Sequence, residues 1–451
     1  RPSAFCLRSA LLPVPWRRRQ PWKMYSFIIS EKVQVTVMVR YELKKIFGSF
    51  GGKVTLVLYA AVVVLSCWLA AAGELNVGSV WVNEQGSRET GPAAVKKMQA
   101  ARAEWTGWLN QDMLTRAVQE NARINATPQA QSNDVRQNDI AFGWKQGFDP
   151  IRELINRSYS PAFRYYDYYT ADGITAIDEH TFYSNRVKLV REWLNDKSDV
   201  GESTFTQQEK DYIISQYESL QTPFYMEYHD GWYQLLEKGT FILMLGILIL
   251  SFALSGIFSG EFKWKADALY FSTTYGRTKG TSAKIKAGLL LITLLYWAGI
   301  LVYSLFTLTY LGFGGGNTVI QVRLWKSLYN ITMRQAWVLT VSCGYLGNLF
   351  LGILTMLISA KTKSAAVAVS MPFIAIFIPV ILQGTVDALS TFASLMPSTL
   401  LEFYQHLSTF DLVTVFGKVF RVADLCIPLY GLLTLILIPI LYREYRTKQI
   451  V

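Results

Sequence analysis

Charged residues are scarce in this chain of 451 residues. Asp, Glu, Lys and Arg together make up 17% of the sequence, whereas hydrophobic residues make up 51% and aromatic residues 14%. A typical soluble domain carries about 25% charged residues, so a soluble enzyme is disfavoured. Intrinsic disorder is excluded as well, because it requires low hydrophobicity together with high charge. The composition therefore indicates a membrane protein.

Recognisable catalytic and metal-binding motifs are also missing. The cysteines Cys6, Cys67, Cys343 and Cys426 are far apart, so neither a disulfide framework nor a zinc site is predicted. The sequence contains no P-loop, no His-Glu-x-x-His and no Gly-x-Ser-x-Gly. His229, beside an aspartate, could bind a metal or transfer a proton, but a solvated polar turn is the favoured interpretation. We therefore expect no cofactor, no metal and no catalytic residues in this chain.

Six stretches without charges are long enough to cross a bilayer. A spanning helix needs about 20 apolar residues, and a central Asp, Lys or Arg costs about 2.5–3.5 kcal/mol. The predicted spans are residues 54–73, 239–260, 287–311, 336–360, 364–386 and 425–442. None has an ionisable residue near its middle, and ion-coupled transporters generally use such residues as relays. Ion-coupled transport is therefore disfavoured.

Lysine and arginine are concentrated in four short segments. These lie before the first span, between the second and third at 261–286, after the fourth and after the sixth. Short loops rich in Lys and Arg mark the cytoplasmic side, and these four share one side only if both termini are cytoplasmic. The predicted fold class is an all-α polytopic membrane protein with six transmembrane helices, N-in and C-in.

Residues 74–238 are then an extracytoplasmic domain. This segment has 17 Lys and Arg against 24 Asp and Glu, a net charge of −7, whereas the whole chain carries +11. The basicity therefore belongs to the flanks of the spans, and no nucleic-acid partner is expected. Helices are predicted over Val95–Ile124, Ser184–Asn195 and Thr206–Leu220, so the domain should be mainly helical. Its lack of cysteine favours a bacterial cytoplasmic membrane.

Three further segments have their own interpretations. Residues 1–37 are taken as a non-native or disordered N-terminal extension. Residues 38–53 place Val39, Leu43, Ile46, Phe47 and Phe50 at helical spacing among basic residues, which predicts an amphipathic helix on the lipid bilayer. Residues 388–423 predict a pair of short re-entrant or interfacial helices on the outer side, with either a packing or a gating role.

Glycines Gly344, Gly347 and Gly352 in the fourth span occupy positions suited to close helix packing. We expect them to pack helices within one subunit rather than to form a dimer seam.

The segment after the second span carries the most informative pattern. Residues 256–277 read Gly-Ile-Phe-Ser-Gly-Glu-Phe-Lys-Trp-Lys-Ala-Asp-Ala-Leu-Tyr-Phe-Ser-Thr-Thr-Tyr-Gly-Arg, and Lys-Ile-Lys-Ala at 284–287 leads into the third span. This pattern resembles the permease subunits of ABC-2 type transporters, in which a glutamate ends the second span and a Ser-x-x-x-Gly-Arg stretch precedes the third. The matching positions are Glu261, Asp267, Ser272, Gly276, Arg277 and Lys284.

The resemblance implies that residues 261–286 form a coupling loop that docks on a separate ATP-binding-cassette subunit, which binds the ATP and Mg. Phe262 and Trp264, with Leu269 and Tyr270, are expected on one side of a short helix that fills a cleft of that subunit. Arg277 and Lys284 are expected to bind phosphates or acidic partners. The implied assembly pairs two permease subunits, as a homodimer or heterodimer, with two ATPases.

The expected activity is export of an amphipathic, lipid-like or peptide cargo. The large insertion between the first two spans departs from the simplest members of the family. The main alternative is a membrane-anchored extracellular sensor or binding protein whose spans support residues 74–238. A polytopic membrane enzyme is a third interpretation, disfavoured by the missing catalytic motifs.

Overall fold

The computed structural model describes residues 21–72, 80–160, 167–196, 205–382 and 392–448, with side chains from residue 35 onward. The helices are α1 (Pro21–Gly48), α2 (Phe50–Ala72), α3 (Pro92–Ala103), α4 (Gln111–Asn125), α5 (Val135–Lys145), α6 (Asp149–Tyr159), α7 (Glu179–Asn195), α8 (Gln207–Glu218), α9 (Asp230–Lys263), α10 (Asp267–Ser272), α11 (Thr281–Leu311), α12 (Met333–Thr362), α13 (Ala365–Leu382), α14 (Ser398–Leu401), α15 (Phe403–His406) and α16 (Val422–Arg446). The strands are β1 (Val80–Val82), β2 (Arg88–Thr90), β3 (Gly107–Trp108), β4 (Tyr225–Met226), β5 (Leu412–Val415) and β6 (Lys418–Arg421).

Six helices of the described chain are long and apolar enough to cross a membrane: α2, α9, α11 with the turn before it, α12, α13 and α16. They correspond to the six predicted spans. Several extend past the predicted ends, since charged residues continue a helix beyond its apolar part. For example, α9 begins at Asp230 rather than at residue 239 and ends at Lys263. The predicted end of the fifth span, at 383–386, lies outside the described residues.

Helix α9 is the centre of the bundle. It packs against α2, α11, α12 and α13, and α16 packs against α12. The three glycines of α12 allow close approach within this one chain, as predicted. A Cβ atom at Gly344 would lie 2.7 Å from Leu243 Cδ2, and one at Gly347 would lie 2.9 Å from Leu401 Cδ2. A Cβ atom at Gly352 would overlap the Cδ1 atom of Ile292.

The predicted amphipathic helix at 38–53 has different bounds. Helix α1 begins at Pro21, within the predicted 1–37 extension, and ends at Gly48; residues 1–20 lie outside the described part. Ile46 is buried, but Phe50 is exposed and begins α2. The break occurs because the Ser49 hydroxyl accepts a hydrogen bond from Gly52 N (3.0 Å), which caps α2.

Helices and short strands build the inserted domain, and one predicted helix is wrong. Val95–Ile124 is not continuous: α3 ends at Ala103, β3 follows, and α4 begins at Gln111. The backbone of Gly107 has a φ of 147°, and the Asn110 side chain accepts from Met113 N (3.1 Å) as the N-cap of a new helix. Helices α7 and α8 confirm the other two predictions, and α8 has the expected capping box of Thr206 and Glu209.

The inserted domain is completed by two other parts of the chain. Trp325, from the loop between α11 and α12, packs with Phe182 and Phe224 of the domain. Phe410, which precedes β5, contacts Trp193 and Tyr217. We call residues 80–160, 167–196, 205–229, 312–332 and 392–421 the domain end of the bundle. The domain therefore does not form its core from residues 74–238 alone.

Residues 388–423 differ in part from the predicted pair of helices. The segment has two short helices, α14 and α15, but then continues into the antiparallel hairpin β5–β6. Its turn consists of Phe416 and Gly417, both with positive φ, which is the backbone geometry of a tight hairpin. Valines on both sides of the Phe416-Gly417 turn are the sequence signal for these strands. Residues 388–391 lie outside the described part.

Replacing Gly352 by Leu should destabilise the bundle, because the new side chain must displace Ile292 and Leu254. Overpacking of this kind costs about 1–3 kcal/mol. The matched control is Gly431→Leu in α16, where a Cβ atom meets nothing within 4 Å. We expect a lower midpoint of thermal unfolding in detergent only for Gly352→Leu. Equal midpoints for the two variants would contradict this packing.

Candidate functional site

The predicted coupling loop lies at the end of the bundle opposite the inserted domain. The chain leaves α9 at Lys263, turns at Lys265 with a φ of 56°, and forms the six-residue helix α10, which Asp267 begins. A π-helical turn, Gly276–Gly280, then leads into α11. We call residues 40–49, 261–286, 361–364 and 443–448 the basic end.

A buried ion-pair network holds this loop to three helices. Lys284 Nζ donates to Glu261 Oε1 (2.9 Å), to Ile257 O (2.9 Å) and to Glu42 Oε2 (3.2 Å). Lys45 Nζ donates to the same Glu261 oxygen at 2.6 Å. The Lys284 side chain is fully buried, and its three contacts use all three donors of an ammonium group.

In this structure the Lys284 ammonium is occupied within the chain rather than turned toward a phosphate or an acidic partner. Lys284 and Glu261 instead link α11 to α9, while Lys45 and Glu42 bring α1 into the same network. A buried carboxylate and ammonium each need such partners because water no longer solvates them.

Aromatic side chains fill the inner face of the loop. The Phe271 ring lies 5.9 Å from Phe262 and 5.1 Å from Tyr445, near the end of α16. Tyr270 also contacts Tyr445, at 5.9 Å between centroids. The expected single docking face is thus divided. Phe262 and Tyr270 pack inward against the bundle, whereas the sequence pattern predicts them on the same side of the helix as Trp264 and Leu269.

Three large side chains of the loop are left on its outer face. Trp264 is 67% exposed, Leu269 76% and Tyr275 58%. Lysines lie beside two of them: Lys45 Nζ is 6.0 Å from the Trp264 ring and Lys279 Nζ is 4.5 Å from the Tyr275 ring. The outer face therefore combines apolar area with positive charge.

Arg277 and Gly276 shape the turn into α11. Arg277 Nε donates to Phe271 O (2.7 Å), and its Nη1 donates to Arg446 O (3.1 Å) and Lys448 O (2.8 Å). The guanidinium thus joins the loop to the C-terminal end of α16. The predicted contact of Arg277 with a partner subunit stays a prediction. Any Cβ atom at Gly276 would overlap Tyr270 O, so this turn requires glycine.

A second buried charge cluster, missed in the sequence, lies at the domain end of α9. Arg102 Nη1 donates to both carboxylate oxygens of Asp230 at 2.5 Å, and Arg323 Nη2 donates to Oδ1 at 2.9 Å. Nearby, Gln99 donates to Leu311 O at 2.8 Å. Helix α3 is therefore tied to both α9 and α11. The sequence gives little signal for this cluster, because Asp230 lies nine residues before the predicted second span and its cations come from distant segments.

His229 belongs to this cluster and is buried, so the solvated polar turn is wrong. Its Nε2 accepts from Arg323 Nε (3.0 Å), which leaves Nδ1 protonated to donate to Glu227 O (2.7 Å). Burial, followed by the adjacent Arg323 charge, lowers the pKa of His229 from 6.5 to about 3. The imidazole is neutral around pH 7.

The described residues contain no group of three or more His, Cys, Asp or Glu side chains that could hold a metal ion. No protein-family model matches the chain, and no curated protein or solved structure is significantly similar to it.

The Lys284→Met variant should be markedly less stable, because it leaves Glu42 and Ile257 O without their buried donor. Breaking a buried pair by removing one partner costs about 3–5 kcal/mol. The control is Lys286→Met, an exposed lysine two residues further along the same helix. The midpoint of thermal unfolding should fall for Lys284→Met alone. Similar midpoints for both variants would rule out a stabilising role for the network.

His229 should make stability depend on pH. Between about pH 6.5 and pH 3 the unfolded chain binds a proton at this residue and the folded protein does not. The free energy of unfolding should therefore fall as the pH is lowered below 6.5. His229→Gln should reduce that slope, whereas His180→Gln, an exposed control, should leave it unchanged. Unfolding of each variant at pH 7 and pH 5 tests this, and equal slopes would disprove it.

Proposed function

We propose that this chain is the membrane-spanning permease subunit of an ATP-binding-cassette transporter, without an ATPase site of its own. Two such subunits, identical or different, would pair with two separate ATPases in a bacterial cytoplasmic membrane. The observation that supports this proposal is the exposure of Trp264, Leu269 and Tyr275 on the outer face of the 261–286 loop. The inner face of the same loop packs against the bundle.

The mechanical requirements of coupling support this proposal. A force applied by a soluble ATPase must reach the membrane helices through an element that does not yield. The 261–286 loop is held to α9 and α11 by the Glu261–Lys284 pair, to α1 by Lys45, and to α16 by Arg277. Displacement of the loop would therefore move four helices together.

The residues of the predicted site then divide into two roles. Trp264, with Leu269 and Tyr275, would enter the cleft of the ATPase, which binds ATP and Mg. Glu261, Phe262, Gly276, Arg277 and Lys284 would hold the loop in position, and Asp267 would begin its short helix. This division replaces the expectation that Arg277 and Lys284 contact the partner directly.

The orientation and the cargo are parts of the same proposal. The basic end would be cytoplasmic, since short segments rich in Lys and Arg remain on that side, and the inserted domain would be extracytoplasmic. The spans have no ionisable residue near their middle, which favours an amphipathic, lipid-like or peptide cargo over a small ion. Export as the direction is implied by the resemblance of the loop.

Purification of the tagged chain from its native membranes in mild detergent tests the proposal. We expect a stoichiometric partner that carries a P-loop, identified by mass spectrometry. Leu269→Asp should release that partner, because it places a charge in the apolar contact. The matched control is Phe416→Asp, a fully exposed apolar residue on the β5–β6 hairpin at the domain end.

Loss of the partner from Leu269→Asp but not from Phe416→Asp would support docking at the outer face of the loop. Retention of the ATPase by Leu269→Asp would contradict the assigned docking face. Purification without any ATPase, or with a signalling partner, would contradict the transporter and favour the alternative of a membrane-anchored sensor.

A further inference from the structure

A large cleft lies on the inserted domain, and neither Asp230 nor Glu261 is among the residues that line it. It has a volume of about 1310 Å³ and runs between the β1–β2 hairpin, the end of α3, helix α4 and the segment that joins α5 to α6. Pockets for single small molecules are typically about 300–1,000 Å³. The size of this cleft suits an oligomer rather than one small molecule.

The walls of the cleft are held in place by close backbone contacts. Gln146 receives a hydrogen bond from Val82 N (2.9 Å) and donates to Val82 O (3.0 Å), which joins the hairpin to the end of α5. A Cβ atom at Gly147 would lie 2.9 Å from Ala101 O, so α3 approaches this segment closely because the residue is glycine. The cleft is therefore a preformed feature of the domain.

Three tryptophans line this cleft. Trp105 is buried at its base, 4.9 Å from the Phe148 ring, and the Arg116 guanidinium stacks on it at 3.8 Å. Trp144 is 40% exposed, and Trp81 on β1 is half-buried. Trp144 and Trp81 thus present indole surface from two walls, whereas the Trp105 ring at the base is covered by the Arg116 guanidinium.

Carboxylate and amide side chains lie between the indole rings of the cleft. The side chains of Glu84, Glu104 and Gln119 line the cleft, and none of them makes a hydrogen bond or an ion pair within the described residues. By contrast, Glu89 pairs with Lys97 and Glu120 pairs with Arg123. The cleft therefore offers planar carboxylate, amide and guanidinium groups, and most of its charges neutralise one another.

From this lining we propose that the cleft binds a neutral oligosaccharide. The C–H faces of a sugar ring are apolar and pack against indole rings, while its hydroxyls both donate and accept hydrogen bonds, which suits carboxylates and amides. An aliphatic lipid would leave the polar groups unpaired. A strongly charged ligand would find little net charge in the lining. The proposal does not depend on the transport function.

The test is calorimetric titration of the full-length protein in nanodiscs with cellopentaose, maltopentaose and chitopentaose. We expect saturable binding of at least one of them at micromolar to millimolar concentrations. Trp144→Ala should weaken that binding at least about tenfold, since it removes one stacking surface. The matched control is Trp108→Ala, another exposed tryptophan of the same domain that lies outside the cleft and packs on Tyr225.

Any of three results would overturn the proposal that the cleft binds an oligosaccharide. They are no binding of any of the three oligosaccharides, unchanged binding by Trp144→Ala, or an equal loss of binding in Trp108→Ala.

Glu104→Gln provides a variant without loss of packing, because this side chain is exposed. It should alter the affinity for the oligosaccharide while the midpoint of thermal unfolding stays constant. Saturable binding of a pentalysine peptide in place of the sugars would assign the cleft to cationic peptides and also refute the oligosaccharide.

Discussion

The structure depends on one helix that carries a buried carboxylate near each end. In α9, Asp230 is neutralised by Arg102 and Arg323, and Glu261 is neutralised by Lys45 and Lys284. The two carboxylates are about 46 Å apart along the helix at 1.5 Å per residue. Each must keep its cations, because a buried charge without a partner is strongly destabilising. The two ion networks therefore fix the neighbours of α9 at both ends of the bundle.

This arrangement joins the inserted domain to the predicted coupling loop through two long helices, α9 and α11. At the domain end, α3 contacts α9 through Arg102 and α11 through Gln99. At the basic end, the same two helices hold the loop through Glu261 and Lys284. A change at either end would reach the other through α9 and α11. This connection is compatible with a transporter that moves its domain and with a sensor that signals to a docked partner.

The spans were predictable because their signal is local. A charge-free apolar run identifies a membrane helix without knowledge of its neighbours, and the Thr206–Glu209 capping box likewise lies within one turn. Helix breaks were harder to predict. The interruption at Gly107 and Asn110 depends on a glycine backbone angle and on pairing of β3 with the distant β4. Ser49 similarly divides α1 from α2 through one hydrogen bond within a pattern that is apolar on both sides.

The number of spans, the segregation of charge and the residues of the loop between the second and third spans could be recognised without a structure. These properties are carried by composition and spacing along the chain. Which charges are buried depends on the packing of distant segments, since Lys284 and Arg277 resemble exposed cations until their partners on other helices are known. The same holds for the domain core and the tryptophan-lined cleft. Both are assembled from segments far apart in the chain, and their chemistry depends on which side chains remain unpaired after folding.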